Sequence, residues 1–260
     1  MTPALSIVIV SFNARADLER CLGSLRSNPP STPHEIVVVD NASTDGSADR
    51  ARQAGVRVID AGANLGFAKA NNIGIRATTG GLVLLLNSDT IVPTGAIDAL
   101  VSELDRDPAV AVVGPRLVDA SGRAELSFGR MIGPLNELRQ KRLARSGDVD
   151  ALTRQRGYPD WVSGACLLVH RADAEAAGLL DERYFMYTED VDFCAAIRAR
   201  GRRILFTPAV EIFHLRGRSV AAASAATHAG YRRSQIAFYK KHHPAWAPLL
   251  KLYLQIRGQL

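Results

Sequence analysis

The residues best suited to chemistry in this 260-residue chain are polar side chains that follow short apolar runs. The segment LVLLLNSDT has five apolar residues leading directly to Asn87, Ser88 and Asp89. A short, wholly apolar run is typical of a strand buried on both faces of a parallel sheet. Such a strand would bring Asp89 to the carboxyl edge, where open α/β sheets bind ligands. A carboxylate there suits a divalent cation held against a phosphorylated ligand.

Two further polar clusters follow the first two predicted strands. Ser11 and Asn13 lie in the segment SFN, and Asp40 begins the segment DNASTDGS. A carboxylate at a strand end, such as Asp40, suits hydrogen bonds with a base or a ribose. The serines and Asp45 of the second segment are equally well explained as helix caps and turn formers. The clusters indicate a nucleoside pocket at the same edge as Asp89.

The segment ANLGFAKANNIGI adds Asn64, Gly66 and Asn72. Gly66 lies near a predicted helix start, where free backbone amides favour an anion. Asparagine amides both donate and accept hydrogen bonds, which suits a nucleobase, although they also cap and pack helices. The chain has neither a GxGxxG fingerprint nor a Walker A loop, which excludes the two commonest nucleotide-binding motifs.

A group of acids lies in the segment YFMYTEDVDFC. Glu189, Asp190 and Asp192 fall in the first turn of a predicted helix. Acids there are favoured by the helix dipole, which is the ordinary structural reason for them. Three acids beside aromatic residues exceed what a cap requires. A carboxylate at the edge of an apolar pocket can be tuned as a general base.

The segment FHLRGRS offers a histidine and two arginines. His214 is a candidate second metal ligand, and Arg216, Arg218 and Ser219 are candidates for binding a diphosphate. An isolated histidine is more often structural than a ligand, and that alternative stays open. The neighbouring arginines favour the ligand interpretation.

The elements that would position these residues alternate between strands and helices, which predicts βαβ units and a mostly parallel sheet. The predicted strands are Leu5–Val10, Ile36–Val39, Val56–Ile59, Leu82–Leu86 and Val110–Val113, and the predicted helices are Asp17–Ser27, Ser47–Ala54, Ala68–Ala77 and Ala96–Asp105. An irregular excursion or lid follows, with a helix over Asn136–Arg145. The predictions after it are a strand over Trp161–Val169, a helix over Glu189–Arg200 and a strand over Ile204–Phe206.

The composition is that of a soluble globular protein, with 47% hydrophobic and 22% charged residues. Three widely spaced cysteines form neither a disulfide framework nor a zinc motif, which predicts that the protein resides in the reducing cytosol. The first residues lack a signal-peptide pattern, and no apolar run is long enough to span a membrane.

Positive charge is concentrated near the carboxyl terminus. Residues 198–260 hold 12 of the 32 Lys and Arg residues but only one of the 26 acids. From His228 onward, aromatic and aliphatic residues recur at helical spacing among the basic ones. This tail is predicted either to rest on an anionic membrane surface or, more simply, to pack against the preceding domain or form a homodimer.

Seven motifs, in order along the chain, resemble family 2 glycosyltransferases of the GT-A fold, and in particular their rhamnosyltransferase-like branch. They are SIVIVSFN, VVVDNASTDGS, NLGFAKANNIGI, LLLNSDT, WVSGACLLVHR, YFMYTEDVDFC and HLRGRS. The resemblance implies an α/β, Rossmann-like fold with a mostly parallel central sheet flanked by helices and a C-terminal helical extension. It implies a GT-A domain over residues 1–226, divided near residue 115 into nucleotide-binding and acceptor halves, and a basic amphipathic helical tail over residues 227–260.

The resemblance also implies a role for each motif. The nucleotide-sugar site would comprise Ser11, Asn13, Asp40, Asn64, Gly66, Asn72, Asn87, Ser88, Arg216 and Ser219. Asp89 would hold Mg²⁺ or Mn²⁺ with help from His214, because Asn87 stands where the family's DxD motif has its first acid. Asp190 of the ED motif would be the general base. The acceptor side would comprise Trp161, Gly164, Ala165 and Glu189.

The implied function is an inverting transfer of a sugar from a nucleotide-diphosphate donor to an acceptor hydroxyl. The branch implies dTDP-rhamnose as donor and a saccharide or lipid-linked saccharide as acceptor, in bacterial cell-surface polysaccharide or glycolipid assembly. The expected location is cytoplasmic, peripheral on the inner membrane face, with no nucleic acid partner. One alternative is a nucleotide-sugar-binding module without catalysis, against which Asp89 and Asp190 argue. Another is a metal-dependent phosphohydrolase, but the first strand ends in Ser11-Phe12-Asn13 and not in an acidic nucleophile.

Overall fold

A twisted sheet forms the centre of the molecule. The computed structural model describes residues 3–145, 148–215 and 224–259. The strands are β1 (Leu5–Ser11), β2 (His34–Asp40), β3 (Arg57–Asp60), β4 (Leu82–Asn87), β5 (Thr90–Ile91), β6 (Val110–Val118), β7 (Phe128–Gly129), β8 (Trp161–Val162), β9 (Cys166–His170) and β10 (Arg203–His214). Within the described residues, eight of them form one sheet in the order β3-β2-β1-β4-β9-β6-β10-β5, and β7 pairs with β8 in a second, two-stranded sheet.

Helices cover both faces of the main sheet. They are α1 (Arg15–Ser27), α2 (Ser47–Gln53), α3 (Phe67–Arg76), α4 (Ala96–Asp105), α5 (Pro134–Arg145), α6 (Val149–Leu152), α7 (Arg171–Ala176), α8 (Glu189–Ala199), α9 (Ser224–His242) and α10 (Ala247–Ile256). Helices α1, α2 and α4 contribute to one apolar core, and α3, α7 and α8 contribute to another that uses the alternate side chains of the same strands. Strands buried from both sides must be apolar throughout, which explains their sequences.

The amino-terminal half matches the predicted βαβ pattern closely. Strand β1 runs parallel to both β2 and β4, and the register pairs Ser11 with Asp40 and Val10 with Asn87. The carboxyl ends of these three strands therefore meet at one edge. The predicted elements lie within about two residues of the observed ones, except that β6 continues to Val118.

The carboxyl-terminal half departs from the predicted elements. The predicted strand Trp161–Val169 is wrong as a single element, because β8 and β9 are separated by the turn containing Gly164. Strand β9 inserts between β4 and β6 and runs antiparallel to both, so the sheet is mixed. The predicted strand Ile204–Phe206 is too short, because β10 resumes after a register shift between Thr207 and Glu211.

The last helices pack on the side of the sheet that carries α8. Phe238 and Tyr239 of α9 and Ala247 of α10 join Tyr184 and Val191 in a third apolar cluster. Within the described ranges, no helix is long and apolar enough to cross a membrane. All three cysteines are free and buried. The fold class is thus the predicted α/β arrangement with C-terminal helices.

Candidate active site

The carboxyl ends of β1 and β2 place two buried polar side chains side by side. Ser11 is 0% exposed and Asp40 is 4% exposed. One Asp40 oxygen accepts a hydrogen bond from the Ser43 backbone amide at 2.9 Å. The Ser11 hydroxyl and the other Asp40 oxygen have no partner within the described structure. Buried polar atoms are normally paired, so these two are available to a polar ligand.

The backbone beside this pair is held in an uncommon conformation. Asn13 and Ala42 have φ values of 49° and 67°, in the left-handed region that non-glycine residues rarely adopt. The Asn13 side-chain oxygen accepts a hydrogen bond from the Thr44 backbone amide at 2.8 Å, and the Asn13 backbone amide donates to the Ser43 hydroxyl at 2.9 Å. These bonds join the two strand ends into one rim. Strain of this kind is concentrated at binding sites.

Asn41 is a structural residue of this edge that the sequence analysis did not select. Its side-chain amide donates to Asn64 at 3.0 Å and to the Gly66 carbonyl at 3.2 Å, and its oxygen accepts from the Leu65 amide at 3.0 Å. Asn41 therefore fixes the loop that precedes α3 against the end of β2. The position directly after Asp40 in the DNAS segment was the available signal.

Gly66 lies against the segment that precedes the ED motif. Its φ is 82°, and a Cβ atom placed on it would lie 2.2 Å from the carbonyl oxygen of Phe185. The next amide, that of Phe67, donates to the same carbonyl at 2.6 Å. Only glycine permits this approach, so Gly66 couples the start of α3 to residues 184–188.

The side chain of Asn72, which was predicted to line the nucleotide pocket, bonds to the loop after α7. Its amide group donates to the Leu180 carbonyl at 2.8 Å and to Glu182 at 3.0 Å, and its oxygen accepts from the Leu180 amide at 3.1 Å. These bonds account for a side chain that is 1% exposed without any ligand. The hydrogen bonds of Asn72 with the loop after α7 offset the low helix propensity of asparagine.

The NSD segment brings Asp89 against His214. Strand β4 ends at Asn87, Ser88 lies in the turn that follows, and β5 pairs with the end of β10. The Asp89 carboxylate is 3.4 Å from Nε2 of His214, and the Asn87 amide nitrogen is 3.5 Å from the same atom. The Asp89 carbonyl also accepts a hydrogen bond from the Leu215 amide. Two residues that are 125 positions apart in the chain therefore share one site.

Glu125 lies behind His214 and was missed by the sequence analysis. Its carboxylate is 3.1 Å from Nδ1 of His214, and its side chain is 8% exposed. Burial opposes a charge on His214, but its hydrogen bonds with Asp89 and Glu125 outweigh this and raise the pKa of the imidazole to about 9. Glu125 lies in an irregular segment without a recognisable motif, so no local signal identified it.

The groups facing one another suit a divalent cation. A carboxylate and an imidazole whose second nitrogen is held by another carboxylate form a common metal-binding arrangement. Within the described residues, no three or more His, Cys, Asp or Glu side chains form a complete metal site by themselves. The donor set is therefore a partial one, of the kind that a diphosphate completes.

Gly164 and Ala165 connect this site to the candidate base. The Ala165 carbonyl accepts a hydrogen bond from the Asn87 amide at 2.9 Å. The neighbouring Gly164 amide donates to the Asp190 carboxylate at 2.9 Å. A Cβ atom on Gly164 would lie 3.3 Å from the Asp190 side chain. The turn between β8 and β9 thus sets the position of Asp190 relative to the end of β4.

Glu189 and Asp190 of the ED motif are the first residues of helix α8, and both are largely buried. Glu189 is 5% exposed and Asp190 is partly buried. Burial raises the pKa of Asp190, and burial together with the charge of Asp190 raises the pKa of Glu189 well above its usual range. The preceding Tyr187 and Thr188 have φ values of 70° and 68°. This backbone is held in place by surrounding contacts, which is typical of functional segments.

The remaining predicted residues fall into two groups. Trp161 lies at the start of β8, and its indole nitrogen donates to the Arg130 carbonyl at 2.9 Å. Arg216, Arg218 and Ser219 lie outside the described residues.

Ser127 is a residue near this turn that the sequence did not predict. Its hydroxyl is buried and has no partner among the described residues, and its carbonyl accepts a hydrogen bond from the Ser163 amide beside Gly164.

Comparisons with known proteins identify the family of this chain. Residues 6–158 match the family described as Glycosyl transferase family 2. The chain is 31% identical to the N-acetylglucosaminyl-diphospho-decaprenol L-rhamnosyltransferase of Mycobacterium tuberculosis, over 100% of this chain and 95% of the relative. The chain therefore belongs to glycosyl transferase family 2. It is a rhamnosyltransferase-like glycosyltransferase, as the motifs predicted.

Solved structures show the same fold at low sequence identity. A mannosyltransferase from Pyrobaculum calidifontis, in complex with GDP-Man and Mn²⁺, superposes with a TM-score of 0.65 at 19% identity, covering 96% of this chain and 69% of that one. GalNAc-T7 with UDP, GalNAc and Mn²⁺ gives a TM-score of 0.64 at 18% identity, covering 82% of this chain and 44% of that one. The GT-A-like architecture is therefore confirmed.

Proposed function

We propose that this chain transfers a sugar from a nucleoside-diphosphate donor to an acceptor hydroxyl, with inversion at the anomeric carbon. The donor would lie along the ends of β1, β2 and β4, with its base and ribose near Asp40. The acceptor would approach from the turn between β8 and β9. The domain boundary near residue 226 and the two halves that meet near residue 115 remain part of this proposal.

The observation that carries the proposal is a set of buried polar atoms that lack partners among the described residues. Of the seven such atoms within the described residues, six lie at the carboxyl ends of β1, β2 and β4, in the ED segment, or beside the turn that contains Gly164. They are Ser11 Oγ, Asp40 Oδ1, Asn87 Oδ1, Ser127 Oγ, Thr188 Oγ1 and Glu189 Oε2. Leaving a buried polar atom unpaired costs about 1–3 kcal/mol, which a polar ligand such as a nucleotide sugar would offset.

Asp190 is the proposed general base. Its carboxylate would accept the proton of the acceptor hydroxyl while the hydroxyl oxygen attacks the anomeric carbon. The bond from that carbon to the diphosphate breaks on the opposite face, so the configuration is inverted and no covalent enzyme intermediate forms. The Gly164 amide orients the carboxylate for this step, and the raised pKa of Asp190 makes it a stronger base than an exposed aspartate.

Asp89 and His214 are the proposed ligands for a divalent cation, with Glu125 holding the imidazole. The fit is supported by the facing carboxylate and imidazole and by the buried carboxylate behind them. A bound Mn²⁺ or Mg²⁺ would neutralise negative charge that develops on the departing diphosphate. Mn²⁺ accepts imidazole more readily than Mg²⁺ does, which favours manganese at this site.

The donor and acceptor are proposed from the rhamnosyltransferase relative. Its name describes transfer of L-rhamnose to N-acetylglucosaminyl-diphospho-decaprenol. We infer dTDP-rhamnose as the donor and a lipid-linked saccharide as the acceptor in cell-wall assembly. Because such an acceptor is held in a membrane, the protein would act at the inner surface of the cytoplasmic membrane. A homodimer stays a prediction.

The experiment is a transfer assay with a panel of nucleotide sugars, with and without acceptor and Mn²⁺. We expect release of the nucleoside diphosphate with dTDP-rhamnose and a polyprenyl-diphospho-N-acetylglucosamine acceptor, and its loss on chelation with EDTA. Nuclear magnetic resonance of the product would give the anomeric configuration. Tight donor binding without turnover for any acceptor would instead support the non-catalytic binding module.

A further inference from the structure

The last described helix carries apolar side chains that face solvent. On one side of α10, Ala247 and Leu254 are buried against the rest of the molecule. Other apolar residues of the same segment are exposed by half or more of their surface. They are Trp246, Leu249, Leu252, Tyr253 and Ile256, at 51, 57, 54, 56 and 77%. We call these five residues the C-terminal apolar stripe.

The stripe is continuous along the helix. At about 100° per residue, its four residues within α10 fall in an arc of roughly 100°. Trp246 precedes them by three residues in the short 3₁₀ turn Pro244–Trp246. Among the described residues, the stripe contains five of the nine large hydrophobic side chains that are exposed. Large hydrophobic side chains that cluster in this way on a solvent-exposed surface mark an interaction site.

The charges around the stripe identify the kind of partner. Residues 224–260 contain six Lys and Arg residues and no acid. Lys240, Lys251 and Arg257 are exposed, whereas Lys241 is paired with Asp181 and Asp192. A second copy would bring the same positive charge against this one, which opposes a homodimer through this face. An anionic lipid surface complements both the charge and the apolar stripe.

We propose that the C-terminal apolar stripe inserts into the interfacial layer of an anionic lipid bilayer, with α10 lying in the membrane plane. The benefit of membrane binding rests on the proposed function, because a lipid-linked acceptor would be presented at the membrane. The binding itself does not depend on that function. The helix lies on the surface and does not cross it, in agreement with its ten-residue length.

The contacts of α9 connect this surface to the candidate base. The Ser234 hydroxyl donates to the Met186 carbonyl at 2.7 Å, in the loop that precedes the ED pair. Lys241 and His242 contact the carboxylate of Asp192 at 2.8 and 2.6 Å, two residues after Asp190. Docking of the stripe would therefore hold the α8 side of the site at the membrane, where the acceptor lies.

The test is co-sedimentation of the full chain with vesicles of phosphatidylcholine alone or mixed with phosphatidylglycerol. We expect binding to the anionic vesicles, weakened by high salt. The double substitution Leu249→Ser and Leu252→Ser should lower the partition coefficient by roughly tenfold or more. Lys251→Gln should lower it by roughly fivefold on anionic vesicles. Brominated lipid should quench the fluorescence of Trp246 in the wild type, and Trp246→Phe should remove that quenching.

Two controls show whether a loss of binding is specific to the stripe. Gln255→Ser changes an exposed polar position of the same helix and should bind vesicles like the wild type. Circular dichroism would show that each variant is folded.

Failure of the wild type to bind anionic vesicles, or equal binding by the double variant, would overturn the proposal. So would a dimer in analytical ultracentrifugation that the double variant dissociates, because the stripe would then be covered by a second copy. Vesicle binding requires no sugar transfer, so the result does not depend on the proposed function.

Discussion

The two acids of the ED motif have different environments although they are adjacent. Asp190 keeps part of its surface accessible and accepts a hydrogen bond from the Gly164 amide. Glu189 is buried, and one of its oxygens has no partner within the described structure. Burial disfavours the charged form of both, and more strongly that of Glu189. This difference suits Asp190 to accept a proton, while burial favours the neutral form of Glu189.

The raised pKa of Glu189 predicts how its substitution changes the pH dependence of stability. Above the pKa of an exposed glutamate, the unfolded chain has lost a proton that the folded chain still holds. The free energy of unfolding therefore falls as the pH rises above the pKa of an exposed glutamate. Glu189→Gln cannot ionise, so its melting temperature should fall less than that of the wild type as the pH rises above the pKa of an exposed glutamate. The measurement is calorimetry across a pH series.

The control for this prediction is Glu175→Gln. Glu175 lies on α7 with its side chain 58% exposed. We expect that variant to keep the pH slope of the wild type. An unchanged slope in Glu189→Gln would show that Glu189 ionises in the folded chain as it does in the unfolded one.

Glu125 provides a second prediction at the level of single residues. Removing a carboxylate that orients a metal-binding histidine typically costs 10–100-fold in metal affinity, so Glu125→Ala should weaken Mn²⁺ binding by about this factor. Glu125→Gln should lose less, because its amide oxygen still accepts a hydrogen bond from Nδ1 of His214. Asp89→Ala should lose at least as much as Glu125→Ala. Electron paramagnetic resonance of free Mn²⁺ in the presence of a nucleoside diphosphate would measure these affinities.

Equal Mn²⁺ affinity in the wild type and Glu125→Ala would remove Glu125 from the site. Glu175→Gln serves again as the exposed control. A normal melting temperature for each variant would confirm that a lost affinity reflects the site and not the fold.

At the scale of elements, the start of α3 and the loop before α8 form one unit. The contact between Gly66 and Phe185 leaves no space for a side chain. Gly62 has a similar φ of 76°, but a Cβ atom there would meet nothing within 4 Å. Gly66 also has a ψ of 177°, a combination that is essentially restricted to glycine, so both its backbone and its contact exclude a side chain.

Alanine at these two glycines should give different results. Gly62→Ala should destabilise the fold by about 1–2 kcal/mol, which is the ordinary cost of left-handed backbone. Gly66→Ala should destabilise the fold more and should also reduce the transfer rate, because residues 184–188, which lead to Asp190 at the start of α8, must move. Denaturant unfolding and the transfer assay measure the two effects. Similar stability and activity in both variants would mean that the contact does not set the position of the base.

The elements of the first half could be predicted because each has its own signal. Strands buried on both faces are continuous apolar runs, and the helices between them have clear boundaries. The direction of β9 and its insertion between β4 and β6 depend on tertiary pairing, which no local pattern records. Strand β10 looked shorter because Thr207-Pro208 interrupts its pairing with β6. Glu125 could not be identified for a related reason, since its role depends on a partner 89 residues away.

At the scale of the whole molecule, acidic and basic residues are distributed unevenly along the chain. The carboxylates of the candidate site come from the first 190 residues, whereas the last 63 residues hold a single acid. The basic C-terminal helices pack beside α8 through a third apolar cluster and the Asp192 contacts. The basic C-terminal helices therefore lie next to the helix whose first turn contains the candidate base.

The central claim is that the two halves of the molecule form one sugar-transfer site with Asp190 as its base. The most direct measurement is steady-state transfer by Asp190→Asn, together with its affinity for the donor. The account predicts a loss of about 10²–10⁴-fold in kcat, because general base catalysis contributes that much, while donor affinity stays within a few-fold of the wild type. Near-normal turnover by Asp190→Asn would contradict the account.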